Sequence, residues 1–522
     1  MHTRVRGLLT SGIAIGSVLL VAACGSSSEP SGSGEPSAST QDAGEPVAGG
    51  ELTIAIPDTI DGWNPDSAVQ AATYQLIRTV EAPLLEVTPD GQDVAPGLAA
   101  DWSYDKTGTK LTLTLQPGAA FSDGSPVTAE DVVFSVEQWR QGAQYGALYS
   151  NFIKGAKASG PDSVVIMLTA PSSAVLGMLT WSNSAIVPDD FGGKSADEFY
   201  RQPIGAGPFA ISSSSDDQIE LVRNEHYWDE GKPFLDSVTY KVVADTSQRL
   251  LQVQSGDAGL ADRVPTDNLS AAGEDSQVLS VPSSSMSLIS FAQSGAPMDD
   301  VHFRKAVSLA IDRQALVDSV YEGKAQVARG LLPPNVPGTD GCPTCDWGAA
   351  DPDAAKAELA QAQDGGKTIE LIVDSARGID LLAAQAIQPM LEAVGINVQI
   401  KQVDSATLLS RMATGDFQMV IGNYSAQAPT AVDPLSFVAA TGYFFTGADP
   451  NLALGALVAV SSASDTAGQA KAVADFEKQN YDAATVVPLV SPYVSSVAGP
   501  GTHGLALLPS GLYDAAALWV SE

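Results

Sequence analysis

The 522-residue chain is short of basic side chains, histidines and cysteines, and each shortage closes off a class of function. It carries 27 Lys and Arg against 61 Asp and Glu, a formal charge of −34, so it lacks the clustered cations that binding to nucleic-acid phosphates requires. Four histidines and three cysteines leave little material for a transition-metal centre or a disulfide-built scaffold. No H-E-x-x-H and no G-x-S-x-G occurs. Gly365-Gly366-Lys367-Thr368 imitates the end of a P-loop, but Gln361 stands where the first glycine belongs and a strand follows instead of preceding it. His226, His302 and His503 lie far apart and read as structural or surface positions. With 61 acids, chance carboxylate pairs are too common to single one out as catalytic. What is present is apolar material: 44% hydrophobic residues, too many for a disordered chain, over a length that suggests roughly two to four domains.

The N-terminus points to a compartment. Arg4 and Arg6 precede Leu8–Ala23, 16 apolar or small residues. That is short of the roughly 20 needed to span a bilayer. A charged start followed by a short apolar run describes an export signal over 1–23. Val21-Ala22-Ala23-Cys24 resembles a bacterial lipobox, in which the cysteine is acylated and becomes the mature N-terminus; the alternative is an ordinary signal with a chance cysteine. Two or more acyl chains (palmitate among them) would give the stable anchoring that one chain cannot. Residues 25–50 hold seven Ser, six Gly and three Pro and no aromatic residue. With Cys24 they read as a lipidated tether with a reach of roughly 25–30 Å. Without residues 1–23 the chain has 61 acids and 25 bases, or −36.

Cys342 and Cys345 sit in a Pro/Gly loop. A zinc site would need a second pair and a thioredoxin-type site a strand before the motif, so a small disulfide is the expectation, with free thiols or a redox pair as alternatives. The body alternates between periodicities. Glu51–Ile56 and Lys110–Leu115 have the period-two pattern of half-buried strands. Thr128 can cap a helix carrying Val132, Val133, Val136 and Trp139, with Glu130 and Asp131 in its first turn. Asp300 and Asp312 stand before two more helices. Ile369–Val373, Leu381–Val394 and Ile396–Val403 read strand, helix, strand, a βαβ unit with parallel strands.

Several segments, taken in order, resemble one family. Gly49-Gly50-Glu51-Leu52-Thr53-Ile54-Ala55 with Trp63-Asn64-Pro65 and Glu81-Ala82-Pro83-Leu84-Leu85 come first. Phe121-Ser122-Asp123-Gly124-Ser125-Pro126-Val127-Thr128-Ala129-Glu130-Asp131-Val132-Val133-Phe134 is the most specific. Ile204-Gly205-Ala206-Gly207-Pro208-Phe209, Arg223-Asn224-Glu225-His226-Tyr227-Trp228, Arg304-Lys305-Ala306 and Ala310-Ile311-Asp312-Arg313 follow. Together they are similar to family 5 extracellular solute-binding proteins, the dipeptide, oligopeptide and nickel binders of bacterial ABC importers. The resemblance covers nearly all of 50–522. It implies an α/β, two-lobe periplasmic-binding-protein-like fold of type II, in the large cluster with an extra subdomain in the first lobe. Lobe I would be 51–285 plus 488–522 and lobe II 286–487, with hinges near Ser283-Ser284-Ser285 and Val487-Pro488. It also implies a monomeric, non-enzymatic receptor that encloses a ligand and delivers it to a permease with a separate ATPase. No cofactor, metal or nucleic acid enters that picture, and the site of action is the outer face of the cell membrane.

The resemblance suggests a peptide ligand, with one departure. Peptide-binding members resemble one another in an acidic residue three positions before an Asp-Pro or Glu-Pro pair, which takes the peptide ammonium. Here the pair is Asp433-Pro434 and the residue is Thr430. A neutral or anionic solute such as an oligosaccharide is therefore the runner-up, and a secreted hydrolase the rival of another class. Arg377 stands where peptide binders resemble a carboxylate-binding arginine; a solvated loop charge is its alternative. Trp63, Asn64, Tyr74, Tyr424, Tyr443 and Phe444 are ligand-contact candidates, core packing being the alternative for each aromatic ring. Asp433 is expected to contact ligand or to orient its loop. Replacing the acylated thiol tests the anchor: Cys24→Ser should move the protein from the membrane pellet to the soluble fraction, and continued tight anchoring would refute the lipobox.

Overall fold

The computed structural model describes residues 44–521, apart from positions 61, 69, 90, 92, 173, 337, 340, 341, 343, 349, 364, 365, 427–429, 442, 443, 445, 450 and 464. The expected signal, Cys24, most of the tether and Tyr443 lie outside the described residues. Among the described residues no helix is long and apolar enough to cross a membrane.

The alternating segment Lys110–Leu115 is a strand that buries Leu111, Leu113 and Leu115 and turns Lys110 and Thr114 to solvent. Each buried leucine contributes about 1.5–3 kcal/mol by leaving water. This strand lies in a separate four-stranded antiparallel sheet with Ala99–Tyr104, Ser163–Leu168 and Ile153–Ala158. The helix Ala129–Gln141 packs beside it. That helix starts as the sequence suggests: the Thr128 N–H and hydroxyl both donate to the Asp131 carboxylate, each at 2.7 Å. Such a cap is worth about 1 kcal/mol.

The remaining architecture is mixed α/β. Among the described residues, twelve strands join one larger sheet. In one half Glu51–Ile56 pairs in parallel with Ser237–Val242 and Leu260–Ala261, and Gln218–Arg223 and Phe209–Ser214 extend the edge. In the other half Ile369–Asp374 and Val398–Val403 are parallel partners joined by the helix Gly378–Val394. The expected βαβ unit thus forms, and Gly395 ends its helix at φ +99°, a left-handed position that glycine enters without strain. Met419–Ser425 pairs on the opposite side of Ile369–Asp374 and runs antiparallel to Ser285–Phe291.

One strand belongs to both halves. Val486–Ala498 pairs through Val486–Val490 with Ser287–Ser290, and through Tyr493–Ala498 with Gln277–Pro282. The switch of partner falls at Ser491–Pro492, a little beyond the Val487-Pro488 step. There the Ser283 N–H and hydroxyl donate to the Pro492 carbonyl at 3.2 and 2.5 Å, and the Ser491 hydroxyl donates to the Ser283 carbonyl at 3.1 Å.

Several motif residues turn out to hold this frame. Arg313 is buried; its Nε donates to the Pro488 carbonyl at 2.7 Å and its guanidinium lies over the Trp347 ring at 5.9 Å. Burial pulls its pKa down to about 10. Arg304 donates to the carbonyls of Met298, Ala483 and Ala484, tying the helix Val301–Ala310 to the turn that leads into the shared strand. Gly205 and Gly207 lie against the backbone of Thr79–Glu81, where any Cβ would overlap main-chain atoms.

Glu477 is a buried carboxylate in the helix Thr466–Ala483, and its two oxygens accept the N–H groups of Leu331 and Leu332 at 2.8 and 2.9 Å. Burial outweighs those hydrogen bonds and pushes its pKa up from 4.5 to about 7. The folded state therefore takes up a proton between those values, and this group's contribution to stability falls as pH rises through that window. Glu477→Gln should flatten that part of the pH–stability profile. It should also cost about 1–3 kcal/mol, because the amide offers one acceptor for two N–H groups. Urea unfolding from about pH 5 to about pH 8 checks both effects.

Candidate functional site

A cavity of about 640 Å³ opens where the two halves of the large sheet meet. Its first wall comes from Arg263–Asn268 and from Tyr493–Ser495 of the shared strand, and its second from Tyr321, Ala376–Ile379 and Asn423–Ser425. The second wall lies at the C-terminal ends of Ile369–Asp374 and Met419–Ser425 and at the start of the helix Gly378–Val394. Crevices of this kind, beyond strand ends, are where open α/β sheets hold ligands.

Arg377 lines the cavity with a half-exposed side chain. Its Nε donates to Asp380 Oδ2 at 3.2 Å, and among the described residues its two terminal nitrogens have no hydrogen-bond partner. Asp380 is only 1% exposed, and Asn423 Nδ2 also donates to its Oδ2, at 2.9 Å. Burial pushes the Asp380 pKa up to about 6 against the pull of Arg377, with Asp374 adding to the rise. Tyr321 is pushed up to about 12, first by burial and then by the nearby charge of Asp380.

Tyr424 lines the same wall, with a buried ring whose hydroxyl donates to the Leu331 carbonyl. Leu331 is one of the two residues gripped by Glu477, so a buried carboxylate indirectly sets the position of a cleft aromatic. Burial raises the Tyr424 phenol well above its ordinary range, and the charges of Glu477 and Asp433 add to the rise. On the first wall Arg263 has φ +51°, a strained conformation for a residue with a Cβ, costing on the order of 1–3 kcal/mol. It follows buried Asp262, which accepts the Ser496 hydroxyl at 3.0 Å.

The other sequence candidates are dispersed. Trp63 is 4% exposed and packs with Ile54, Ala72 and Leu76 in the first-half core. Asn64 caps the short helix Pro65–Ser67 and borders a smaller cavity of about 230 Å³ with Trp139 and Asn183. The Tyr74 hydroxyl lies 2.9 Å from the Ala68 carbonyl and 3.2 Å from the Tyr145 hydroxyl. Phe444 is buried behind Tyr424, ring centroids 6.0 Å apart. Thr430 presses its methyl onto Gly177 of the helix Ala174–Met178, across from the opposite part of the chain. Asp433 opens the helix Val432–Thr441; burial raises the pKa of Tyr145, Tyr149 and Tyr424, and the Asp433 charge adds to each rise. Cys342 and Cys345 are joined by a disulfide. Among the cleft residues, Asp380, Asn423 and Arg263 were not singled out by sequence. Arg377-x-x-Asp380 at a helix start is a readable spacing, but the conformation of Arg263 leaves no trace in composition.

Comparison with known proteins then fixes the family. The family model for bacterial extracellular solute-binding proteins, family 5, matches residues 93–444. The chain belongs to that family. It is 30% identical over 402 residues (74% of this chain, 75% of the relative) to the protein named Probable D,D-dipeptide-binding periplasmic protein of Escherichia coli K12. It is 25% identical over 424 residues to a Probable di/tripeptide-binding protein of Pseudomonas aeruginosa UCBPP-PA14, covering 72% of this chain and 77% of that one. The fold matches a periplasmic binding protein of Helicobacter pylori solved with a bound peptide, at TM-score 0.77 and 21% identity, over 91% of this chain and 99% of that one. The α/β periplasmic-binding-protein fold expected from sequence is thus the fold found.

Proposed function

We propose that the protein is an extracytoplasmic receptor that encloses peptides and hands them to the permease of an ABC importer. The observation that carries this reading is the cavity between the sheet halves, with the open guanidinium of Arg377 in its wall. An arginine fork matches a carboxylate bidentately and suits a peptide C-terminus. The peptide-binding names of the relatives support the same class. Lipid on Cys24 holds the mature chain at the membrane, the tether lets it reach the permease, and the receptor acts as a monomer without catalysing a reaction. Residues 51–285 with 488–522 form one lobe and 286–487 the other, with hinge points drawn to Ser283 and Ser491–Pro492, where the shared strand changes partners. Tyr424 contributes to the ligand wall, and Asp433 orients the region where Thr430 meets Gly177.

A second reading, an anionic or neutral non-peptide solute, is favoured by Thr430. A methyl group packed on Gly177 stands where an ammonium-pairing acid would be needed. A thermal-shift screen of short peptides, oligosaccharides and nickel separates the readings, since a ligand selective for the folded state raises Tm by mass action. Peptides alone should raise it. Stabilisation by sugars and not peptides would favour the second reading, and ligand turnover would favour an enzyme. Closure has its own test: Gly177→Val would drive a side chain into the Thr430 methyl, and should weaken ligand binding at least about tenfold. Unchanged affinity would show that this contact is not part of the closed state.

A further inference from the structure

Resting on the peptide reading, we infer that Asp380 is a positioning residue that makes the cleft read a carboxylate together with the adjacent amide N–H. The preferred ligands are then peptides and N-acyl amino acids gripped by their C-terminal end, with the amino end left unread. One oxygen, Asp380 Oδ2, fixes two neighbours at once: it accepts Arg377 Nε at 3.2 Å and Asn423 Nδ2 at 2.9 Å. Using Nε in this way leaves the terminal pair of guanidinium nitrogens for an end-on carboxylate, the geometry that an arginine fork matches. Committing the Asn423 amide nitrogen to Asp380 turns its carbonyl oxygen away as an acceptor, and Asn423 borders the cavity. A C-terminal residue offers the complement, a carboxylate and one N–H on the same α-carbon. The other oxygen, Asp380 Oδ1, is buried without a partner, which fits a group retained for what its charge holds in place and not for its own stability.

The amino end has no comparable reader. Among the described residues bordering the cavity the one carboxylate is Asp267, which is solvent-exposed, and an exposed ion pair contributes little. Thr430 packs its methyl on Gly177, and its hydroxyl accepts the Asp433 N–H at 3.5 Å. Acylation of the amino group should therefore be tolerated.

The groups facing Asp380 are Arg377 at the start of its helix, Asp374 at the end of the preceding strand, Asn423 on the neighbouring strand and Tyr321. Its ionisation at about 6 makes the arrangement pH-dependent, because a protonated carboxyl no longer accepts from both partners as an anion does.

The test is calorimetric titration of the purified full-length protein with trialanine, N-acetyl-trialanine and trialanine amide. The free and N-acetylated peptides should bind within about threefold of each other, and the amide at least about tenfold more weakly. Affinity for trialanine should fall as pH drops through about 6 and become flat in Asp380→Asn. That variant should lose affinity for the two acids but not for the amide, and Asp380→Glu should restore part of it. Arg377→Lys, which keeps the charge and lacks the fork, supplies the same discrimination test if Asp380→Asn does not fold. Amidation without cost, loss of binding on N-acetylation, or equal weakening of acid and amide by Asp380→Asn would each overturn the inference while leaving the peptide reading intact. Failure of all three peptides to bind would overturn both.

Discussion

The constraint on which the rest depends is that one strand, Val486–Ala498, pairs with both halves of the sheet. Along its length the strand passes from Ser287–Ser290 to Gln277–Pro282, and Ala325–Val327 pairs with it across that point, from Val490 to Pro492. Where the partner changes, Ser283 and Ser491 add side-chain bonds to each other's backbone region. The result is a crossing between two well-paired halves, and the cavity lies beside it.

The buried charges follow the same logic. Arg313 and Arg304 each donate to a carbonyl in or just before the shared strand, and both oxygens of Glu477 accept from the segment that supports Tyr424. None of these groups gains stability cheaply, because burying a charge costs several kcal/mol before its partners are counted. What they supply is position, in that each hydrogen-bonds a defined stretch of backbone. Asp380 applies the same device at the cleft surface, where the groups it fixes remain open to a ligand.

Much of the frame was legible in the sequence, for identifiable reasons. Lys110–Leu115 and the Ile369–Val403 βαβ unit carry clean periodicity, and Thr128 with Asp131 carries a cap, so local rules and tertiary packing agree there. Several of the segments that resemble family 5 have a physical role in the fold, as with Gly205 and Gly207 against the Thr79–Glu81 backbone. The cleft was read less well. Arg377 and Tyr424 do border it, but Trp63 and Phe444 are packed beneath other residues. A large ring in a loop looks the same in sequence whether it faces a ligand or a core, because only the tertiary fold decides which side is wet. Asp380 was hidden for a related reason: its meaning depends on Asn423, 43 positions away.

The proposed receptor holds its ligand between the two walls of this cavity. Hydrogen–deuterium exchange with and without a saturating, stabilising peptide tests it most directly, because protection reports local opening segment by segment. Protection should concentrate in Arg263–Asn268 on one wall and in Ala376–Ile379 and Asn423–Ser425 on the other. Protection confined to one wall, or centred on the smaller cavity near Asn64, would contradict it.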